Sequence, residues 1–223
     1  MVETVAAALS AHGLMLRDGF NFMDGEQAPS GLSGAAARSV LLVGQAGAAP
    51  WLHFLRWREK QSRTVANPLD TWSREVIGAV AETFGARAAS PSDRPYLPFQ
   101  QWAMRAEGLR PSPLGILMHP QYGLWHAYRG ALLFEDEIEL PEPRDVIHLC
   151  DACVDKPCLK SCPVDAYSAD GFAHKACLAH VRGQSGAPCR AGGCLDRNAC
   201  PYGTAYRYSP EVQAFHMAAF ARL

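Results

Sequence analysis

Eight cysteines lie between Cys150 and Cys200, and residues 1–149 contain none. They form two runs, each ending in Cys-Pro: Cys150-x2-Cys153-x4-Cys158-x3-Cys162-Pro163 and Cys177-x11-Cys189-x4-Cys194-x5-Cys200-Pro201. Four thiolates that converge from short spacings are the donor set of a tetrahedral zinc site or of an iron–sulfur cluster. The residue types and their spacing therefore predict metal chemistry in this part of the chain.

The cysteine before each proline stands apart from the rest of its run. In two-cluster ferredoxins a cysteine in this position ligates the other cluster, and the following proline suits the turn that carries it there. On this pattern we predict two [4Fe–4S] clusters with crossed ligands. The first would take Cys150, Cys153, Cys158 and Cys200, and the second would take Cys162, Cys177, Cys189 and Cys194. Structural zinc stays the alternative, because four-cysteine zinc sites use similar spacings.

Basic residues and glycines are interspersed among these cysteines. The basic residues are Lys156, Lys160, Lys175, Arg182, Arg190 and Arg197, and the glycines are Gly183, Gly186, Gly192 and Gly193. Two clusters with eight thiolate ligands would carry net negative charge, which cations could offset and backbone N–H groups near the sulfurs could stabilise. The alternative is that the cations form an ordinary solvated surface.

A second group of chemically capable residues precedes the cysteines. His119, Tyr122, His126 and Arg129 fall within eleven residues, together with Trp125. Such a cluster is either a strand–turn pair whose polar groups bond to one another or the wall of a pocket for a large flat ligand. The first alternative, in which these residues have only a structural role, is the favoured interpretation. As catalytic candidates, the histidines are the proton donors suited to neutral pH.

Hydrophobic periodicity indicates the elements that must position these groups. It predicts helices over residues 2–11, 50–60, 69–84 and 99–107, a buried strand over 39–43, a proline-rich linker over 88–98 and a strand over 131–138. A last helix over 211–223 is expected to pack back through Val212, Phe215, Ala219 and Phe220. We therefore predict an α/β (α+β) N-terminal domain (1–143), a two-cluster ferredoxin-like domain (144–208) and a C-terminal helix (209–223).

Composition narrows the function classes. The formal net charge is −1 at pH 7, which gives no electrostatic footprint for nucleic acid. The sequence has no apolar run long enough to span a membrane, and no phosphate-binding or serine-hydrolase motif. Glu3 stands where a secretory signal carries positive charge, so we expect a cytoplasmic protein, in which thiols stay reduced and disulfides are disfavoured.

From Gly123 to Gly203 the sequence resembles the cluster-binding half of epoxyqueuosine reductases and, more distantly, of corrinoid reductive dehalogenases. The resemblance rests on Gly123-Leu-Trp, Glu139-Leu140-Pro141, the run from Cys150 to Pro163, Cys177-Leu-Ala-His180 and Cys200-Pro201. It implies two [4Fe–4S] clusters that feed electrons to a cofactor or substrate held by a nitroreductase-like, cobamide-binding N-terminal region. The four residues between Cys153 and Cys158 depart from the two in those enzymes, and no residue here matches their catalytic acid.

These observations favour an iron–sulfur electron-transfer protein. It would accept single electrons from a flavoprotein or ferredoxin and pass them through two clusters to a large redox cofactor, with a corrinoid (cobalamin) or a corrinoid protein as the candidate acceptor. One alternative is an oxidoreductase with its own substrate pocket near His119, Tyr122, His126 and Arg129. Another is a zinc-stabilised binding module. No nucleic-acid or membrane partner is expected.

Overall fold

The computed structural model describes residues 1–141, 146–168 and 171–222. The chain divides into two compact units. The first is formed by Met1–Gly108 and Ala127–Asp145, and the second by Leu109–His126 and Val146–Leu223. The predicted domain boundary at residue 143 lies outside the described residues. A single boundary does not separate the two units, because residues 109–126 also belong to the cysteine-bearing unit.

The first unit is a mixed α/β fold around an antiparallel sheet. Its elements are α1 (Val2–Ser10), β1 (Met15–Asn21), β2 (Ser39–Ala46), α2 (Trp51–Arg58), α3 (Pro68–Thr83), β3 (Arg87–Ala89) and α4 (Phe99–Glu107). Strand β6 (His126–Phe134) completes a four-stranded sheet in the order β1-β2-β6-β3, in which β1 pairs antiparallel to β2 and β3 pairs antiparallel to β6.

Burial explains where the sheet forms. Every residue of β2 from Ser39 to Gln45 is buried, as expected for a central strand that reads as a nearly continuous apolar run. β1 is a strand that the sequence does not reveal, because Arg17-Asp18-Gly19 interrupts its apolar alternation. The β1–β2 register shifts between Leu16 and Gly19, and a Cβ at Gly19 would overlap the carbonyl oxygen of Val40. The irregularity therefore depends on glycine at that position.

A buried polar network ties this sheet to α4. Arg17 forms an ion pair with Glu107, both almost fully buried, and the Tyr128 hydroxyl donates to Glu107 at 2.7 Å. Burial raises the pKa of Glu107, and the Arg17 guanidinium opposes that shift. These contacts satisfy charges that would otherwise be costly to bury.

The helix predictions agree with the structure to within one or two residues at each end, and α4 has the predicted bounds of 99–107. Gly108, at φ +66°, terminates it in the left-handed conformation that glycine favours. Three predictions are wrong in extent. The strand predicted over 39–43 continues to Ala46. Residues 88–98 are not all linker, since β3 includes Ala88 and Ala89, and the strand predicted over 131–138 runs from His126 to Phe134.

The second unit consists of short elements. They are β4 (Arg110–Pro111), β5 (Leu117–Met118), α5 (Leu149–Ala152), β7 (Tyr167–Ser168), β8 (Gly171–Phe172), α6 (His174–Arg182), α7 (Ala187–Gly192), α8 (Leu195–Ala199) and α9 (Pro210–Ala221), with 3₁₀ turns at Pro157–Leu159, Gln184–Gly186 and Thr204–Tyr206. Within the described residues, no helix is long and apolar enough to cross a membrane.

The last helix, α9, belongs to this second unit and does not form a separate domain. Ser209 caps it by accepting from the backbone N–H of Val212. Val212 is buried and Phe220 packs into an apolar cluster with Val181, whereas the predicted contact residue Ala219 is exposed. The helix therefore packs back by a face that differs in part from the predicted one.

Candidate metal centres

Four cysteines line one small cavity of the second unit, which we call the first cavity: Cys150, Cys153, Cys158 and Cys200. Its volume is about 10 Å³, enough for about one water. Cys150 lies on α5, Cys158 in the turn Pro157–Leu159 and Cys200 directly after α8. Met118 and Leu124 complete an apolar wall behind the sulfurs.

The other four cysteines line a larger cavity, the second cavity: Cys162, Cys177, Cys189 and Cys194. Its volume is about 230 Å³. Aromatic and aliphatic side chains form the rest of its wall, including Tyr167, Phe172, Met217 and Phe220. The two sets brought together are the two crossed sets assigned from the sequence pattern. Each cavity draws three cysteines from one run and one from the other.

Helix α8 links the two cavities. Cys194 of the second cavity is its N-cap residue and Cys200 of the first cavity is its C-cap residue. At a helical rise of about 1.5 Å per residue, the two cap positions lie about 9 Å apart along the helix. This short helix therefore sets the separation of the two groups of sulfurs.

When no cation is bound, burial favours the protonated thiol at two of the cysteines. Burial, assisted by neighbouring thiols, raises the pKa of Cys150 to about 11 and that of Cys177 to about 11. Lys156 opposes the shift at Cys150. A bound cationic metal centre reverses this preference, because it stabilises the thiolate directly and displaces the proton.

Backbone N–H groups approach the sulfurs of the second cavity. The N–H of Ala166 donates to Cys162 Sγ at 3.4 Å. Burial raises the pKa of Cys194, and hydrogen bonds from the backbone of Arg197 and Asp196 oppose that effect. Two of the glycines expected in this role serve close packing instead. A Cβ at Gly186 would overlap the His180 carbonyl oxygen, and one at Gly193 would overlap the Gln213 side chain.

Two of the basic side chains bind backbone carbonyls in or beside the segments that carry the cysteines. Lys156 Nζ donates to Cys150 O at 2.8 Å and to Cys153 O at 3.2 Å. Arg190 donates to the carbonyl oxygens of Val181 and Gly183. These two cations therefore have specific positions near the sulfurs, whereas Lys160, Lys175 and Arg182 are exposed, Arg182 with a bond to Ala221 O at 2.9 Å.

Arg197 has the most constrained environment of these cations. Its guanidinium lies 4.4 Å from the Trp125 ring centroid and 4.8 Å from that of Tyr208. It also donates to Leu124 O at 2.6 Å, and Leu124 packs against the cysteines of the first cavity. A planar cation stacked between two aromatic rings fixes this wall in place.

An aromatic pair covers one side of the second cavity. The rings of Tyr167 and Phe172 stack with centroids 4.6 Å apart, and burial raises the pKa of Tyr167 to about 12. Phe172 is 42% exposed, so the pair extends from the cavity wall to the surface. These rings exclude water from one side of the sulfurs.

The histidine-rich patch is only partly assembled. His119 Nδ1 accepts from the backbone N–H groups of Gln121 and Tyr122, and its ring stacks on Tyr122 at 4.1 Å. His126 is buried and its Nε2 lies 2.8 Å from Leu117 O. Arg129 belongs to the first unit and donates to Gln45 Oε1 at 2.7 Å. These backbone partners favour a structural role for the two histidines.

Sequence reasoning missed several residues that shape the cavities, chiefly Asp196, Tyr208 and the Tyr167–Phe172 pair. Asp196 is 1% exposed, but an aspartate inside a cysteine-rich stretch of sequence gives no signal of burial. In the described ranges, no three His, Cys, Asp or Glu side chains are close enough to hold a single metal ion. The thiols surround cavities rather than converge on one point.

No protein-family model matches the sequence, and no curated protein is detectably similar to it. Solved structures do share its fold. An epoxyqueuosine reductase, solved with an epoxyqueuosine-modified tRNA-Tyr stem loop, matches with a TM-score of 0.54 at 13% identity, over 95% of this chain and 69% of that one. The Bacillus subtilis epoxyqueuosine reductase gives 0.52 at 14% identity over the same shares.

The C. elegans B12-trafficking protein CblC, a homologue of human MMACHC, matches with a TM-score of 0.56 at 14% identity. The match covers 98% of this chain and 92% of that one. At such low identities, these likenesses show the fold alone.

Proposed function

We propose that this protein is an iron–sulfur electron-transfer protein with one [4Fe–4S] cluster at each cavity. The observation that carries the proposal is the grouping of all eight cysteines into two sets of four around two cavities of one unit. Four thiolates are the ligand set of a cubane cluster, and a bound cluster supplies one-electron chemistry.

Four thiols at each cavity supply the ligands that a [4Fe–4S] cluster needs, but the two cavities differ in volume. The second cavity, at about 230 Å³, offers room for a polynuclear centre enclosed by apolar side chains. The first, at about 10 Å³, must widen before it can hold one. Cys153 is only partly buried, and outward movement of its segment would provide that space.

The chain's own residues would tune these centres. Lys156 and Arg190 place positive charge beside the segments that carry the ligands. Backbone N–H groups such as that of Ala166 stabilise negative charge on sulfur, and the Tyr167–Phe172 pair limits water access. Hydrogen bonding, nearby charge and burial are the factors by which proteins set cluster potentials.

Iron and acid-labile sulfide analysis of anaerobically purified protein tests the proposal. We expect about eight of each per chain, since two four-iron clusters carry that number. Dithionite reduction should give paramagnetic signals by electron paramagnetic resonance. Stoichiometric zinc in place of iron would instead support the zinc-stabilised binding module, and protein with neither metal would contradict both.

A corrinoid is the proposed electron acceptor, and a flavoprotein or ferredoxin is the proposed donor. The support is the sequence resemblance to epoxyqueuosine reductases and corrinoid dehalogenases, together with a fold shared with a B12-trafficking protein. The first unit, with its four-stranded sheet, would hold the corrinoid.

Titration with hydroxocobalamin checks the acceptor. We expect the visible spectrum of the cobalamin to shift on binding, because a protein site changes the axial ligation or solvation of the cobalt. The Cys177→Ser variant is the matched control, since it should lose a cluster and keep this shift. An unchanged spectrum at saturating protein would remove the corrinoid from the proposal and leave the clusters in place.

A further inference from the structure

Asp196 is a buried carboxyl group on α8, two residues after Cys194. Its Oδ1 accepts the backbone N–H of Ser161 at 3.0 Å, and it accepts a second hydrogen bond from the backbone N–H of Cys162. One side chain of the second cysteine run therefore holds the backbone of the first run at its last cysteine.

Burial of this carboxyl group needs a reason. Among the described residues, no cation forms an ion pair with Asp196. A buried acid without a cationic partner is costly, and hydrogen bonds from backbone N–H groups offset part of that cost. Its two donors are consecutive amides, which points to recognition of one short backbone segment.

That segment is where the chain passes from one cavity to the other. Cys158 lines the first cavity and Cys162, four residues later, lines the second. The Ser161 hydroxyl donates to Pro157 O at 3.0 Å, which tightens the turn between them. Asp196 accepts from the two amides at the end of this turn, so it acts at the crossover itself.

We propose that Asp196 is the positioning residue that directs Cys162 into the second cavity. The inference rests on the proposed function, because it assigns Asp196 a part in assembling the second centre. Asp196 does not ligate metal in this proposal. It fixes the backbone on which a ligand is carried, and so decides whether three or four thiols face that cavity.

The test compares Asp196→Ala, Asp196→Asn and the control Asp165→Asn in the full-length, anaerobically purified protein. Asp165 is exposed and also lies near Cys162, so its substitution removes a neighbouring charge without touching the two amides. We expect Asp196→Ala to lose about half of the iron and the signal of the second centre, with the first retained. Asp196→Asn should keep both centres, because its amide oxygen still accepts a hydrogen bond.

Full iron content and unchanged potentials in Asp196→Ala would overturn the inference, as would loss of the second centre in Asp196→Asn or Asp165→Asn. If Asp196→Ala does not fold, amide hydrogen exchange on Asp196→Asn decides. The Ser161 and Cys162 amides should exchange faster than in wild type, because a neutral amide is a weaker acceptor than a carboxylate. Unchanged exchange would contradict the proposal. Wild-type protein without iron would contradict the proposed function, and the exchange measurement would still test Asp196.

Discussion

Replacement of Cys162 by serine should remove about four of eight irons and abolish the second centre, while the first stays reducible. Cys162 belongs to the first run in sequence and to the second cavity in space, where it lies with Cys177, Cys189 and Cys194. Cys200→Ser should have the reciprocal effect, because Cys200 lies with Cys150, Cys153 and Cys158. Iron analysis and electron paramagnetic resonance of the two variants show which centre each of them loses.

Cys158→Ser is the matched control for the crossed arrangement. It is in the same run as Cys162 but lines the first cavity, so it should remove the first centre alone. If Cys158→Ser and Cys162→Ser damaged the same centre, each run would ligate its own cluster and the crossed assignment would be wrong. Retention of eight irons in all three variants would show that these thiols are not ligands.

Alanine at Gly203 should destabilise the protein by about 2–5 kcal/mol, from backbone strain together with overpacking. Gly203 has φ +68°, and a Cβ there would overlap the carbonyl oxygen of Tyr122. Gly123, at φ +57°, faces the carbonyl oxygen of Tyr202 in the same way. The backbone segments at Gly123 and Gly203 are thus in close contact just after Cys200. Neither segment can move away without opening the wall of the first cavity.

Gly115→Ala separates strain from overlap. Gly115 lies in the same unit with φ +74°, but no atom lies within 4 Å of the Cβ that alanine would add. We expect it to cost only the conformational part, about 1–2 kcal/mol. Denaturant unfolding followed by circular dichroism measures both variants. Equal losses of unfolding free energy in the two variants would mean that the close contact between the segments at Gly123 and Gly203 contributes nothing to stability.

The cysteine pattern carried most of what could be foreseen about the site. Spacing and the two Cys-Pro pairs are local features, and they suffice to divide the cysteines into two sets. The wall of each cavity is not local. Asp196 shows its role only when Ser161 and Cys162 fold against α8, and Arg197 only when Trp125 and Tyr208 enclose it.

The fold, like the site, was predictable where it depends on residues close in sequence. Helices with clear 3.6-residue periodicity, such as α4, were predictable because the spacing of apolar residues along the sequence shows which face is buried. β1 was not, since Arg17 is buried by pairing with Glu107, which is distant in sequence. The assignment of residues 109–126 to the cysteine-bearing unit likewise depends on contacts such as that of Gly123 with Tyr202.

The shortness of α8 has a consequence for how electrons would be taken up. With a cluster at each cavity, two negative centres about 9 Å apart, in surroundings with an effective dielectric constant of about 20, would repel by about 1.8 kcal/mol per added charge. For one-electron steps that would correspond to about 80 mV. A reductive titration would then proceed in two separate waves, and the protein would release electrons singly to an acceptor rather than as a pair.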